Sequence, residues 1–269
     1  MYELKGKRPS LEAPPRFKKP GTLTVLTWIL FAVLLGLGLQ GAELNWSRLV
    51  NGIINMGNFV ATAFPPDPSR FTPIMMRMLE TFEIALVGTV IGVLASIPIA
   101  LCCSRNTCSN VLIRTVVKSA VSAMRTIPDL IWALIFVISV GLGPLAGILT
   151  IAVDTIGFCA RFFSERIEEM EKGPAEALES AGASRFGVIA GAILPAGFPS
   201  FVGTSLFSIE KAVRSAVILG LVGAGGIGVE LSTAMSLRKF DEALMIILMI
   251  LVVVITVEQI SSRIRKRVI

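Results

Sequence analysis

Residues 80–103 read ETFEIALVGTVIGVLASIPIALCC, with two acidic residues near the start and no charged residue after Glu83. A helix needs about 20 mostly apolar residues to cross the hydrocarbon layer of a bilayer, which is roughly 30 Å thick. The stretch reaches that length, so it predicts a membrane-spanning helix. The fold then depends on how many such stretches the chain holds and which of them cross.

The composition agrees with a membrane protein. Of the 269 residues, 54% are hydrophobic and only 16% are charged, whereas an average soluble domain carries about 25% charged residues. Lys and Arg number 25 against 19 Asp and Glu. This basic excess could indicate nucleic-acid binding, but much of it lies in the two tails. Membrane topology explains it better.

Seven apolar stretches follow one another along the chain. They cover about residues 22–40, 80–103, 123–143, 145–163, 187–209, 213–235 and 243–260. No small-residue cleavage site follows the first stretch, so we expect it to be an uncleaved span. Each stretch is a candidate crossing, and the charges between them decide which ones cross.

Basic residues gather in four patches, at residues 1–20, 104–125, 161–185 and 263–267. Because Lys and Arg are concentrated in cytoplasmic loops, all four patches are expected in the cytoplasm, together with both termini. Two cytoplasmic patches must be joined by an even number of crossings. Residues 123–143 and 145–163 therefore form a hairpin whose turn, ending at Pro144, lies outside.

Between Arg185 and the basic C-terminus lie three apolar stretches, where an even number is required. The stretch 213–235 is the one that is not expected to cross, since five glycines interrupt it and Arg214 stands at its head. The glycines are Gly220, Gly223, Gly225, Gly226 and Gly228. Irregular backbone at membrane depth is tolerated only where protein or a watery cavity covers it. We therefore predict a re-entrant segment on the outer side and six true spans.

Two further segments have an amphipathic pattern. Residues 111–127 place Arg114, Lys118, Ser122 and Arg125 on one helical face, which predicts a helix at the inner interface that turns into the membrane at Pro128. Residues 42–78 contain three closely spaced prolines after another amphipathic run. They are predicted to be an external loop with a surface helix.

The loop after the fourth apolar stretch has a pattern of its own. Residues 173–184 read GPAEALESAGAS, and Ile193, Leu194 and Pro195 follow nine residues later. The pattern predicts a short helix with Pro174 in its first turn and Gly182 as a left-handed stop. The many small residues would let another protein approach this helix closely.

This loop resembles the EAA loop of bacterial ABC importer permeases, whose pattern is E-A-A, three residues, G, nine residues and I-x-L-P. The two departures are Leu178 in place of the second alanine and Ala192 in place of the isoleucine. The matching positions are Glu176, Ala177, Gly182, Leu194 and Pro195. The resemblance implies that these residues form a coupling helix that docks in a groove of a separate ATPase subunit.

The resemblance extends over most of the chain after Phe71. Residues 125–128 and the glycine-rich stretch 214–228 are similar to permeases for phosphonates, methionine and sulfonates. Residues 55–56, 64–67 and 140–147 are most similar to phosphonate transport permeases. The resemblance implies import of phosphonate or a related phosphorus oxyanion, with methionine or sulfonate as the alternative.

The same resemblance implies the all-α fold of a type I ABC importer permease. The expected division is a cytoplasmic basic segment at 1–21, the first span with its external loop at 22–78, a permease domain at 79–262 with the EAA loop at about 164–195, and a basic tail at 263–269. It also implies a second permease copy as a homodimer, two ATPase subunits that bind ATP and Mg²⁺, and an external substrate-binding protein.

The sequence lacks the residues that several other functions require. The chain has no histidine, which excludes the familiar Ser-His and His-metal arrangements. No Walker A sequence occurs, so ATP is not expected to bind here. Residues 223–228 satisfy the dinucleotide pattern G-x-G-x-x-G, but they lie in an apolar stretch without a βαβ unit. The four cysteines, Cys102, Cys103, Cys108 and Cys159, match neither a zinc site nor a disulfide framework.

Ionisable residues within or beside apolar stretches are candidates for the transport pathway. They are Glu83, Asp129, Asp154, Glu210, Lys211 and Arg214. Such residues are costly in a bilayer and usually face a bundle interior or a cavity. Glu210 and Arg214 are spaced for an i,i+4 pair. This pair is either a structural anchor for the re-entrant segment or, with Gly223, Gly225, Gly226 and Gly228, an outer gate that favours anions.

Two other classes of function stay open. A passive channel would need no coupling helix, and a membrane enzyme would need a clustered catalytic set facing one interface, which the sequence does not contain. No catalytic, cofactor or metal-binding residue is therefore expected in this chain.

Overall fold

The structure is a computed structural model that describes residues 21–42 and 45–268. These residues form helices and connecting turns without any strand. The helices are α1 (Thr22–Gly41), α2 (Trp46–Ala63), α3 (Phe71–Cys103), α4 (Val111–Thr126), α5 (Asp129–Val140), α6 (Pro144–Glu169), α7 (Gly173–Ser180), α8 (Arg185–Val188), α9 (Leu194–Gly220), α10 (Ile227–Ser236) and α11 (Phe240–Val268). A π-helical turn, Ile189–Ile193, joins α8 to α9.

The chain divides into two compact units, one ending at Asn58 and the other beginning at Phe59. The first unit contains α1, which is apolar and long enough to cross a membrane, and most of the amphipathic α2. These are the predicted first span and the predicted surface helix. The cytoplasmic segment predicted for the N-terminus falls almost entirely on residues 1–20, which lie outside the described residues.

Within residues 21–42 and 45–268, five helices are long and apolar enough to cross a membrane. They are α1, α3, α6, the continuous run Arg185–Gly220 and α11. A sixth crossing is present if α4 and α5, which are bent by 93° relative to each other, form one broken span. The prediction of an all-α protein with about six spans is therefore confirmed.

The second unit is a bundle with two distinct ends. At one end, which we call the α10 end, the starts of α3, α6 and α11 meet α10 and the end of α9. A hydrogen bond of 3.0 Å from Gly143 N–H to the Gly223 carbonyl joins the residue before α6 to the turn after α9. At the other, the α7 end, the ends of α3 and α6 meet α7 and α8. There Asn106 donates to the Ile167 carbonyl at 2.7 Å.

The break between α4 and α5 falls at Pro128, where the turn was predicted. Proline lacks an amide hydrogen and cannot continue the helical ladder. The 12 residues of α5 span only about 18 Å. The last turn of α4 lies against Gly157, halfway along α6, with Arg125 and Met124 as neighbours. The end of α4 thus packs against α6, and the interfacial position of 111–127 stays a prediction.

A second difference concerns the re-entrant segment predicted for 213–235. The helix that begins at Arg185 continues without a break in its path to Gly220, so Arg214 lies inside α9 and not at the head of a new segment. The charges around it have partners on other helices and do not end the helix. The irregular part is reduced to a turn at 221–226, after which α10 packs against α3, α9 and α11.

Glycines allow α3 and α6 to pack in close contact. A Cβ atom on Gly88 would lie 2.8 Å from the Cβ of Ile151, and one on Gly92 would lie 2.5 Å from the Cβ of Thr155. Real side chains do not approach so closely, so both positions require glycine. Small residues have this role in membrane bundles because lipid gives helices no hydrophobic reason to associate. Gly88 and Gly92, one turn apart on α3, therefore form its packing face toward α6.

Valine at position 92 should loosen this contact. Overpacking a tight interface typically costs about 1–3 kcal/mol, so Gly92→Val should lower the thermal unfolding midpoint of the detergent-purified protein. The matched control is Leu94→Val on the same helix, where the leucine is 63% exposed. Equal unfolding midpoints for the two variants would contradict the assigned contact.

Candidate functional site

The predicted coupling segment forms the helix and stop that its sequence indicates. Pro174 lies in the first turn of α7, and Gly182 has a φ of +86°. Two hydrogen bonds close the end of the helix, from Gly182 N–H to the Glu179 carbonyl at 2.9 Å and from Ala183 N–H to the Leu178 carbonyl at 3.0 Å. This is the Schellman arrangement, in which a left-handed glycine ends a helix.

One side of α7 is anchored and the other is open. Ala175 and Leu178 pack against a cluster that includes Phe163, Val188 and Phe201, whereas Glu176 and Ala177 are exposed. Leu178, which departs from the EAA pattern, approaches Gly191 closely. The larger side chain therefore strengthens the anchor and leaves the exposed side of the helix small.

A cavity of about 610 Å³ adjoins the open side of α7. Its wall includes carboxylates and cations, Arg166, Lys172, Glu176 and Glu179 among them. Leu194 and Pro195 follow the π-helical turn at the start of α9. Since Pro195 has no amide hydrogen, a shift in the hydrogen-bond ladder just before it is expected. The five predicted coupling residues thus lie on two adjacent elements at the α7 end.

Charged side chains on α9 connect this helix to its neighbours deep in the bundle. The Lys211 ammonium donates to both carboxylate oxygens of Asp154 on α6, at 2.7 and 2.8 Å. One turn further along, the Ser215 hydroxyl donates to Asp129 on α5 at 3.0 Å. Two of the ionisable residues that the sequence singled out are thus joined in a pair, and the third accepts a neighbouring hydroxyl.

Glu210 is the centre of a second group. Its carboxylate accepts from Arg214 at 2.8 Å, as the i,i+4 spacing predicted, and from Arg265 on α11 at 3.5 Å. The two groups are adjacent. Lys211 lies 5.6 Å from the ring centre of Phe158, Arg265 lies 5.9 Å from that of Phe207, and the two rings are stacked.

The acids and bases in these groups differ in burial. The side chains of Glu210 and Asp154 are 8% and 16% exposed, whereas those of Arg214, Lys211 and Arg265 are 49%, 35% and 31% exposed. Each buried acid thus lies behind a cation that reaches the surface of the chain. A charged surface at this depth is costly against lipid and normally faces a water-filled cavity or another protein. We call the surface formed by Lys211 and Arg214 of α9, together with Arg265 of α11, the basic face of α9.

The predicted glycine gate is a tightly packed turn at the α10 end. Gly223, Gly225 and Gly226 have φ values of +89°, +86° and +76°, which side-chain-bearing residues rarely adopt. Ile227 N–H donates to the Thr81 hydroxyl at 2.7 Å, and Gly228 packs directly against Gly220 and the carbonyl of Val217. This packing leaves no room for a dinucleotide, so the G-x-G-x-x-G match is accidental.

Ion pairs that the sequence did not predict hold the α10 end together. They join Arg70 to Glu230 at 3.2 Å and to Glu242 at 3.1 Å, Arg77 to Glu80 at 2.7 Å, and Lys239 to Glu242 at 2.7 Å. The partners of Arg70 are 160 and 172 residues away in the chain, so no local spacing could reveal them. The only sequence signal was the presence of charges at the ends of apolar stretches.

Arg265 was also missed as a site residue. It belongs to the basic C-terminal tail, whose Lys and Arg residues indicate only on which side of the membrane the tail lies. Its contact with Glu210 depends on how far α11 is shifted along α9, which cannot be obtained from either helix alone. Glu83, in contrast, is exposed on α3 and does not join either charged group.

The chain matches a known protein family over most of its length. Residues 88–269 match the family described as binding-protein-dependent transport system inner membrane component. The phosphite transport system permease protein PtxC of Stutzerimonas stutzeri is 34% identical over 83% of this chain and 81% of its own length. The phosphate-import permease protein PhnE of Mycolicibacterium smegmatis is 34% identical over 82% of this chain and 41% of its own length.

A solved structure shares the fold. A chain of the MetNI methionine ABC transporter in an inward-facing conformation superposes with a TM-score of 0.65 and covers 75% of this chain and 99% of its own. The sequences are 21% identical, so the likeness concerns the fold alone.

The two partners of Glu210 make its loss more harmful than the loss of Arg214. Glu210→Gln leaves two cations without their acid, whereas Arg214→Gln leaves Glu210 with Arg265. We expect Glu210→Gln to destabilise the purified protein by about 1–3 kcal/mol, between the values for exposed and buried pairs. Arg214→Gln should cost less, and the double variant should recover part of the loss. Thermal unfolding of all three variants measures this.

The matched control is the exposed i,i+4 pair of Arg161 and Glu165 on α6, where the two charges are 2.7 Å apart. Glu165→Gln should change stability by less than about 1 kcal/mol. If Glu210→Gln were no more harmful than Glu165→Gln, the ion pairs behind the basic face would not stabilise the fold.

Proposed function

Since the chain belongs to the binding-protein-dependent transport system inner membrane component family, we propose that it moves a phosphorus oxyanion, such as phosphite, a phosphonate or phosphate, across the inner membrane. It is the permease subunit of an ABC importer and a multi-pass membrane protein. The observation that carries the choice of substrate is the 34% identity with the phosphite permease over 83% of this chain. The methionine transporter shares only the fold.

The charge of the basic face supports an anionic substrate. Lys211, Arg214 and Arg265 present cations toward the open side of the chain, and each is paired with an acid that lies deeper. An oxyanion passing this face would meet positive charge without entering a site that holds it permanently. Such a weak polar route suits a permease whose substrate is selected outside the membrane.

The motor is a separate polypeptide in this proposal. No Walker A sequence occurs in the chain, so ATP and Mg²⁺ would bind to two ATPase subunits, which dock on Glu176, Ala177 and the rest of the exposed side of α7. The chain itself needs no cofactor. Hydrolysis belongs to the ATPase, and this subunit supplies the pathway. An external substrate-binding protein would deliver the oxyanion to the opposite end.

A second permease subunit is needed to enclose the pathway, because the basic face of one chain is open. We propose a homodimer. A related permease in the second position is the alternative, since this chain matches only 41% of the mycobacterial relative, which is long enough to hold a second such region. Both termini and the α7 end would lie in the cytoplasm, as the Lys and Arg distribution favours.

The packing of α7 offers a route from the motor to the pathway. Leu178 contacts a cluster that includes Phe201, and Phe201 belongs to α9, the helix that carries Lys211 and Arg214. ATP binding would close the motor, displace α7 and tilt α9, which would turn the basic face outward. The glycine turn at the α10 end would act as the outer gate. Hydrolysis would reset both, as alternating access between two states requires.

Transport in proteoliposomes tests the substrate. The permease would be reconstituted with its cognate ATPase and binding protein, and uptake of phosphite, methylphosphonate, phosphate and methionine would be measured with and without ATP. We expect ATP-dependent uptake of at least one phosphorus oxyanion and none of methionine. Methionine uptake without oxyanion uptake would contradict the proposal, and oxyanion flux independent of ATP would indicate a passive channel.

The glycines at the two ends of α7 allow its role in ATPase docking to be tested with a matched control. Gly173 and Gly182 both have open space around them, but only Gly182 has a positive φ. Alanine in the left-handed conformation costs roughly 1–2 kcal/mol, so Gly182→Ala should distort the end of α7, whereas Gly173→Ala should not. We expect Gly182→Ala and Glu176→Lys to reduce ATPase copurification and stimulated hydrolysis several-fold. Normal values in both would exclude α7 as the docking helix.

A further inference from the structure

Arg125 occupies the last turn of α4, at the corner where the chain turns into α5. Its side-chain stem lies against Gly157, halfway along α6: a Cβ atom on that glycine would be 2.9 Å from Cγ of Arg125. The corner is fixed by the Trp132 indole, which donates to the carbonyl of Met124 at 3.2 Å. The position of Arg125 near the middle of the bundle is therefore set by packing on both sides.

Arg125 is an exposed residue, and its guanidinium has neither a hydrogen-bond acceptor nor an ion-pair partner within the described part of the chain. The three cations of the basic face differ in this respect, because Lys211, Arg214 and Arg265 all contact carboxylates. A guanidinium keeps its charge at physiological pH. An unpaired charge beside membrane-spanning helices must face water, a ligand or another protein.

We propose that Arg125 binds the phosphorus oxyanion during its passage, one helical turn of α6 beyond the basic face. This inference rests on the proposed function, which supplies the anion. Asp154 and Gly157 are three residues apart on α6 and so lie on the same side of that helix. An oxyanion leaving Lys211, the partner of Asp154, would reach Arg125 next.

The chemistry of the guanidinium suits this ligand. Its planar fork donates two parallel hydrogen bonds to two oxygens of a phosphite, phosphonate or phosphate group. Binding at Arg125 would not require a salt bridge to break, in contrast to Lys211 and Arg214. The nearest acids along the path are already engaged, since Asp154 accepts from Lys211 and Asp129 accepts from Ser215.

The polar face of α4 continues from Arg125 toward the α7 end. Ser122 and Lys118 are exposed on the same face, and Lys118 contacts Glu168 at 3.0 Å near the end of α6. This face would give the anion a polar exit from Arg125 to the cytoplasm. The amphipathic pattern that the sequence presented as an interfacial helix would then be the inner half of the pathway.

The first test compares Arg125→Gln and Arg125→Lys in the reconstituted importer. Arg125→Gln should reduce phosphite uptake at least tenfold, and Arg125→Lys should be intermediate because lysine keeps the charge without the fork. The matched control is Arg161→Gln, which removes one exposed cation from α6 and should leave uptake within twofold of the unaltered importer. Assembly with the ATPase and membrane abundance are measured for each variant.

The second test detects the anion directly. In a variant with all four native cysteines replaced by serine, Ser122→Cys places a thiol one turn from Arg125. Sodium phosphite should slow its labelling by a methanethiosulfonate reagent when Arg125 is present, and should have no effect in combination with Arg125→Gln. Sodium chloride at equal ionic strength is the control. Labelling in zwitterionic and in anionic lipid separates free phosphite from lipid phosphate as the ligand.

The outcomes separate this inference from the proposed function. Unchanged phosphite uptake and protection in Arg125→Gln would overturn the role of Arg125 while the importer stands. Loss of the permease dimer in Arg125→Gln and Arg125→Lys would assign the residue to the second subunit instead, and slow labelling in anionic lipid without phosphite would assign it to the membrane. If the unaltered importer took up no phosphorus oxyanion, the proposed function itself would fail.

Discussion

The close contact between α3 and α6 is the interaction on which the rest of the bundle depends. Helices in lipid gain little from burying apolar side chains, so they associate where small residues allow backbones to approach. Gly88 and Gly92 provide this approach. With α6 fixed, Asp154 and Gly157 become the points at which α9 and α4 attach, and with α3 fixed, Thr81 reaches the glycine turn.

The charges inside the bundle follow from the cost of burying them. Removing one partner from a buried ion pair leaves an uncompensated charge in a low-dielectric setting, so Glu210 and Asp154 have to keep their cations close. The same acids hold the cations in place at the surface. The same pairs thus stabilise the bundle and place cations at its surface, which explains how a helix as apolar as α9 contains Glu210, Lys211 and Arg214 in its second half without breaking.

The short helix α7 and the long helix α9 meet in one packed cluster. α7 has no buried residue of its own and packs against the bundle through Ala175 and Leu178, so a partner bound to its exposed side would move it against the cluster around Phe201. That cluster belongs in part to α9. In the importer that we propose, this cluster would transmit the movement of α7 to α9.

The sequence by itself determined the number of apolar spans, the short helix at 173–180 with its glycine stop, the turn at Pro128 and the pairing of Glu210 with Arg214. All of these depend on local rules: hydropathy over about 20 residues, capping chemistry, the missing amide of proline and the i,i+4 period.

Only the tertiary structure decided that α9 runs through its charges to Gly220, that Arg265 joins Glu210, and that α4 reaches the middle of α6. Each of these depends on partners that lie far away in the chain. A charged residue within an apolar stretch resembles a helix boundary until its counter-ion is known. The register of one helix along another cannot be obtained from the sequence of either helix alone.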